Sequence, residues 1–250
     1  MSGHSKWHSI RHKKARVDAQ RGKIFTKLIK ELTVSARIGG GDADMNPRLR
    51  TAIQAAKTAN MPAKNIENAI KKGTGELPGV VYEEINYEGY GPGGVALFIF
   101  ALTDNKNRTV AEIRHLLGKY GGNLGETGCV AWMFERKGLI KIPKANFDEE
   151  TLFNLSVDAG AEDMNTEDEE FYEIYTDPEL LDDVQTDLEK NNITVEEAQR
   201  TMIPQSTVIL DDKQAEQMIR LMEVLDDHDD IQDIFANFEI EDEVMNKLAG

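Results

Sequence analysis

Three histidines, His4, His8 and His12, recur every four residues near the start of the chain, a spacing that would set three imidazoles on one face of a helix. Imidazole is a good zinc ligand, but a structural zinc site takes four ligands, often thiolates, and no thiol or carboxylate partner lies nearby. No metal and no other cofactor is expected. The same stretch carries Lys6, Trp7, Arg11, Lys13, Lys14 and Arg16, a mixture suited to other chemistry. Lysine and arginine neutralise phosphates, His8 and His12 can contact phosphate or base edges, and Trp7 can stack on an unpaired base. An indole docked onto the fold is an equal reading of Trp7.

The cationic run continues through Arg21, Lys23, Lys27, Lys30 and Arg37, so that the first 37 residues hold ten Lys/Arg against only Asp18 and Glu31. Acidic groups abound elsewhere, as in Glu167-Asp168-Glu169-Glu170 and Asp226-Asp227-His228-Asp229-Asp230. Acid/base catalysis needs carboxylates in differentiated environments, and a calcium loop needs a D-x-[DN]-x-[DN]-G pattern that neither cluster has. Both read as solvated turns. No G-x-S-x-G elbow, H-E-x-x-H helix or Cys/His pair occurs, so a catalytic function is not expected.

Charge is divided along the chain. Residues 1–76 carry sixteen Lys/Arg against six Asp/Glu, within a protein whose net charge is -16. A basic module in a chain of opposite sign is the footprint of a phosphate-backbone partner, and screening over about 8–10 Å lets it act independently of the acidic remainder. The acidic part is expected to bind protein partners or to keep the rest of the molecule off nucleic acid. The single Cys129 cannot form an intramolecular disulfide, which favours a reducing, cytoplasmic setting. No apolar run of about 18 residues occurs, so no membrane partner is expected. A basic, acid-poor leader also fits a transit peptide.

The elements that must position these residues follow from periodicity. Ile24, Phe25, Leu28, Ile29 and Leu32 form one apolar helix face, and Lys23, Lys27, Lys30 and Arg37 line the other. That stripe suits phosphates, although a solvated helix exterior has the same pattern. Gly39-Gly40-Gly41 ends the helix. Asn46-Pro47 starts a second one with Arg48, Arg50 and Lys57 outward, and a third follows Met61-Pro62 and closes at Gly73 after Lys71-Lys72. Beyond it, Val80–Tyr90 and Val95–Leu102 read as a hairpin around Gly91-Pro92-Gly93-Gly94. That turn lacks the P-loop spacing and is followed by a strand, so it is not read as a phosphate cradle.

A helix near Arg108–Tyr120 and strands near 123–124 and Cys129–Phe134 complete β-α-β-β, a partial ferredoxin-like unit. A full βαββαβ unit then runs from Leu139 to Met202, and the last helix and strand, through 215–225 and 231–238, supply what the first unit lacked. The expected fold is α+β: a flexible basic arm over 1–20, a helical nucleic-acid-binding domain over 21–76, a ferredoxin-like domain over 77–136 plus 205–250, and a second such domain over 137–204 inserted in it. Three domains in series is the alternative. Pairing of 231–238 with 95–102 would favour insertion, and pairing with 193–202 would defeat it.

The stretches GHSKWHSIRHKKARVDAQRGKIFTKLIKELTVSAR, GGGDADMNPRLRTAIQAAKTANMPAKNIENAIKKGTGE, YEGYGPGGVALFIFALTDNKNRTVAEIRH, GGNLGETGCVAWMFERKG and DIFANFEI together resemble the YebC/PmpR family. The resemblance starts at residue 1, against a transit peptide. It implies a cytoplasmic bacterial protein with a helical N-terminal domain and two α/β domains, a DNA-binding transcriptional regulator without catalytic residues. A mitochondrial relative is a translational activator, and bacterial members are connected with ribosomes stalled on proline-rich sequences. The family therefore also admits a ribosome-associated factor that contacts ribosomal RNA.

Overall fold

The computed structural model describes the backbone of residues 18–168 and 170–240 and the side chains of 22–168 and 170–240. Its architecture is α+β. Three helices come first: α1 (Asp18–Gly39), α2 (Pro47–Thr58) and α3 (Ala63–Thr74). Asn46 caps α2, its side chain accepting the Leu49 N–H at 3.1 Å, and Pro47 occupies the first turn. Leu32 and Ala36 of α1 pack on Leu49, Ala52 and Ala56 of α2 and on Ile66 and Ala69 of α3. The small residues let the axes approach closely. Gly73 belongs to this contact and does not stop α3: it is helical, and a methyl there would overlap the Thr33 carbonyl. The stop comes at Gly75, whose φ of 84° suits only glycine well.

The outer α/β part begins with β1 (Glu83–Tyr90) and β2 (Ala96–Thr103), paired from Glu83 opposite Thr103 to Tyr90 opposite Ala96. Next come α4 (Lys106–Lys119) and β3 (Asn123–Leu124). A complete βαββαβ unit follows: β4 (Phe134–Pro143), α5 (Glu149–Asp158), β5 (Asp163–Asn165), β6 (Phe171–Thr176), α6 (Leu181–Lys190) and β7 (Glu197–Pro204). The described chain closes with β8 (Val208–Ile209), α7 (Asp212–Asp226), β9 (Ile231–Ala236) and β10 (Phe238–Glu239).

Strand pairing distinguishes the two topologies. β9 lies antiparallel to β2, with Leu97 opposite Ala236 and Ile99 opposite Ile234, whereas β7 pairs with β4. The inner unit is thus inserted in the outer one: Trp132–Thr207 forms one compact unit, and the chain on both sides of it forms the other. The outer sheet has the order β3-β1-β2-β9, and the inner sheet β5-β6-β4-β7.

One expected strand is absent from the outer sheet. Its second central position is filled by β1, which comes first in the chain, so no place remains for 129–134. Instead the segment before β4 is a loop gathered by Glu88. This buried carboxylate accepts the backbone N–H groups of Gly128, Val130 and Ala131 at 2.6, 2.8 and 2.8 Å.

Each sheet carries its helices on one face. In the outer part Leu97, Ile99, Ile231 and Ile234 pack against Ile113 and Leu117 of α4 and Met218, Leu221, Met222 and Leu225 of α7. In the inner unit Ile140, Ile142 and Ile174 pack against Leu152, Val184 and Leu188. Removing such apolar surface from water is the main driving force for both layers.

Candidate nucleic-acid interface

α1 is where sequence and structure diverge most. From Leu32 to Ala36 every residue is buried, so this part of the helix has no exterior. One side meets α2 and α3. The other, which carries the cationic stripe, meets the outer α/β part. Lys27 and Lys30, expected to face phosphates, are only 9% and 6% exposed. Their ammonium groups are held by the turn between α7 and β9. Lys27 donates to the Asp226 carbonyl at 2.7 Å and to its carboxylate at 3.1 Å. Lys30 donates to the Asp229 carbonyl at 2.8 Å and to the Asp230 carboxylate at 2.5 Å. At the rim of the same contact Lys23 pairs with Asp227 at 3.0 Å.

Asp230 is the centre of this contact. Besides Lys30, its carboxylate accepts from Arg108 at 2.8 Å, Thr109 at 2.7 Å and Thr103 at 3.2 Å. Burial alone would raise its pKa, but hydrogen bonds from Lys30, Thr109 and Arg108 outweigh that and hold the carboxyl far below the usual carboxylate range. The cluster read as a solvated acidic turn is therefore, in this structure, a receptor for lysines. It sits at the C-terminal end of α7, where unpaired helix carbonyls also favour cations.

The same turn contributes His228, which with Glu112 and Asp230 brings three potential ligand atoms within 4.8 Å of one another. Those atoms are already committed. His228 Nε2 meets Glu112 at 2.9 Å, its Nδ1 accepts the Asp230 N–H at 3.1 Å, and Asp230 is surrounded by two cations. A divalent ion would have to displace Lys30 or Arg108, so the cluster does not fit a metal.

Other predicted cations are also partnered. Arg48 makes a two-pronged pair with Glu31, at 2.6 and 2.9 Å, and reaches Glu84 at 2.7 Å. Arg37 donates to the Tyr82 carbonyl, and Lys71 pairs with Glu67 one helical turn away at 2.5 Å. Arg50, Lys57 and Lys72 are exposed, Arg50 resting on the carbonyls of Ala43 and Asp44 at 3.4 and 3.5 Å. Lys64, not singled out from the sequence, is exposed as well, seven and eight residues before Lys71 and Lys72, a spacing that identifies a shared face of α3. Exposed Arg114, His115 and Lys119 on α4 were not singled out either, although α4 holds Lys106, Arg108, Arg114 and Lys119 against Glu112 alone, a local cationic excess legible in the sequence. His4, Lys6, Trp7, His8, Arg11, His12, Lys13, Lys14 and Arg16 lie outside the described residues, as does the side chain of Arg21.

Fold and site together define a class: a helical module with a basic N-terminal segment, joined by ion pairs to a ferredoxin-like domain that holds a second one as an insertion. Comparison with known proteins gives the family. Residues 5–76 match the TACO1/YebC protein N-terminal domain, and residues 82–238 match the TACO1/YebC second and third domain. The chain belongs to the TACO1/YebC family. A protein of Persephonella marina is 56% identical over 250 residues, with both chains fully covered, and one of Desulforapulum autotrophicum is 58% identical over 248 residues, covering 99% of this chain and 100% of that one. Each is named a probable transcriptional regulatory protein. The crystal structure of a conserved hypothetical protein from Aquifex aeolicus superposes with a TM-score of 0.84 at 52% identity, covering 93% of this chain and 96% of that one. No helix among the described residues is long and apolar enough to cross a membrane.

Proposed function

We propose that this protein is a nucleic-acid-binding regulator of gene expression, acting on DNA as a transcriptional regulator through its basic N-terminal segment and the outward cations of the helical module. The observation that carries this reading is the charge asymmetry: sixteen Lys/Arg against six Asp/Glu in residues 1–76 of a chain whose net charge is -16. With Lys27 and Lys30 turned inward, the contact surface is assigned to Lys6, Arg11, Lys13, Lys14 and Arg16, together with Arg50, Lys57, Lys64 and Lys72. The names of the relatives support a regulatory role.

A second reading is a ribosome-associated translation factor that contacts ribosomal RNA. It is favoured by the kind of cation left outward on α2 and α3: Lys57, Lys64 and Lys72 are point charges that grip phosphate, and Arg50 is the one guanidinium beside them. Such a set binds backbone and shape better than base edges.

Crosslinking in cells followed by sequencing of the bound nucleic acid separates the two. Enrichment of promoter DNA supports the regulator, and enrichment of ribosomal RNA supports the translation factor. Recovery of neither above background refutes both. In vitro, replacing Lys57, Lys64 and Lys72 by glutamate should flatten the salt dependence of duplex binding by up to about 0.9 per lost phosphate contact.

A further inference from the structure

Lys23, Lys27 and Lys30 stand at i, i+4 and i+7, one continuous row on α1, and each meets an aspartate of a single turn: Asp227, Asp226 and Asp230. A row of lysines on one helix face is the arrangement expected for a run of phosphates. Here carboxylates and helix-end carbonyls occupy the positions that phosphate oxygens would take.

The three pairs are not equally enclosed. Lys23 and Asp227 have side chains 43% and 60% exposed, Lys27 and Asp226 11% and 24%, and Lys30 and Asp230 8% and 3%. The contact is therefore graded from an open rim to a closed centre. The exposed rim pair is worth little and exchanges readily with another anion, the Lys27–Asp226 pair is held more tightly, and Asp230, buried and bonded also to Arg108, Thr103 and Thr109, is held fast.

We propose that the Asp226–Asp230 turn is an internal phosphate mimic that masks a polyanion-binding face of α1, and that a nucleic-acid strand displaces Asp227 and then Asp226 from Lys23 and Lys27 while Lys30 and Asp230 stay joined. This rests on the nucleic-acid reading above and adds a gate to it. The acidic turn sets a threshold, admitting a strand dense enough in phosphate to replace two carboxylates and rejecting isolated anions. Without the exchange, the same ion pairs would serve only to dock the helical module.

The test uses the full chain and two fluorescent probes, a duplex DNA and a single-stranded RNA of about 24 nucleotides each, titrated at several salt concentrations. Asp226→Asn/Asp227→Asn removes the two carboxylates from the outer lysines, while Lys27 keeps its bond to the backbone carbonyl of residue 226. Glu149→Gln/Glu150→Gln, exposed on α5, makes the same change in net charge elsewhere. The first variant should bind more tightly than this control by at least the about 1.4- to 5-fold that one exposed pair of ordinary strength, Lys23–Asp227, implies. Its salt slope should steepen by up to about 1.4 to 1.8, because lysines no longer neutralised by carboxylates release counterions when phosphates replace them. Adding Lys23→Ala/Lys27→Ala should erase the gain. Lys23→Ala alone, at the exposed rim where folding is not at stake, should remove about half of the steepening. Affinity no higher than the control, or a gain that survives loss of the lysines, overturns the mask while leaving the nucleic-acid reading in place. Failure of all these proteins, wild type included, to bind either probe overturns that reading and the mask with it.

Discussion

Replacing Lys30 by methionine removes one charge from the centre of the contact between α1 and the outer α/β part while keeping an unbranched side chain of similar length. In the wild type the Lys30 ammonium meets the Asp230 carboxylate at 2.5 Å and the Asp229 carbonyl at 2.8 Å, in a place only 8% and 3% open to solvent on its two sides. Breaking a buried pair by removing one partner costs about 3–5 kcal/mol, because the other charge stays buried. Asp230 keeps Arg108, Thr103 and Thr109, which sets the expected loss at the lower end, about 3 kcal/mol. For a chain of this size that corresponds to a melting shift of roughly 6–12 °C, in the transition of the unit that contains α1 and α7. Calorimetry or urea unfolding reads it.

Acid unfolding supplies an independent check. The folded Asp230 carboxyl lies below its unfolded value, so its contribution is fully present above about pH 4 and is lost as pH falls from there through the folded pKa. Lys30→Met should make stability less steep in that window. A loss under about 1 kcal/mol, the range of exposed pairs, together with an unchanged acid limb would show that Lys30 is solvated and that the α1 contact is not held as described.

Three further outcomes follow from other parts of the fold. Glu88→Gln should free the loop before β4: faster hydrogen exchange is expected at Gly128, Val130 and Ala131, with a stability loss of about 1–3 kcal/mol. The same substitution should speed the reaction of Cys129 with a disulfide reagent at fixed pH, because burial and then the Glu88 charge push that thiol up; unchanged reactivity would show that Glu88 does not control the loop. Gly73→Ala should lower the urea midpoint by the equivalent of about 1–3 kcal/mol, since the added methyl forces α3 away from the Thr33 carbonyl. An unchanged midpoint would mean that α1 and α3 have room to separate.

Much of the fold was legible because it depends on local chemistry. The Asn46-Pro47 start of α2 and the glycine turn between β1 and β2 are signals within four residues of their effect. Even the insertion could be anticipated by counting which unit lacked a helix and a strand. The strand expected at 129–134 was misread because β1, ahead of the unit in sequence, fills the position that a later strand would take.

The amino-acid sequence by itself determined the helices, the hairpin and the concentration of positive charge in the first 76 residues; it favoured the nested order of elements, which the pairing of β9 with β2 decided. What it left open is which face of α1 is interior. A 3.6-residue period separates apolar from charged positions, and a charged stripe reads as exterior unless a partner of opposite sign is brought to it. For Lys27 and Lys30 that partner lies 199 and 200 residues further along the chain. Only the packing of α7 and β9 onto the outer sheet places Asp226 and Asp230 beside them. One local trace was there to read: Val34, four residues after Lys30 on the same stripe, is fully buried, and a valine in a lysine row marks a surface that another part of the chain covers.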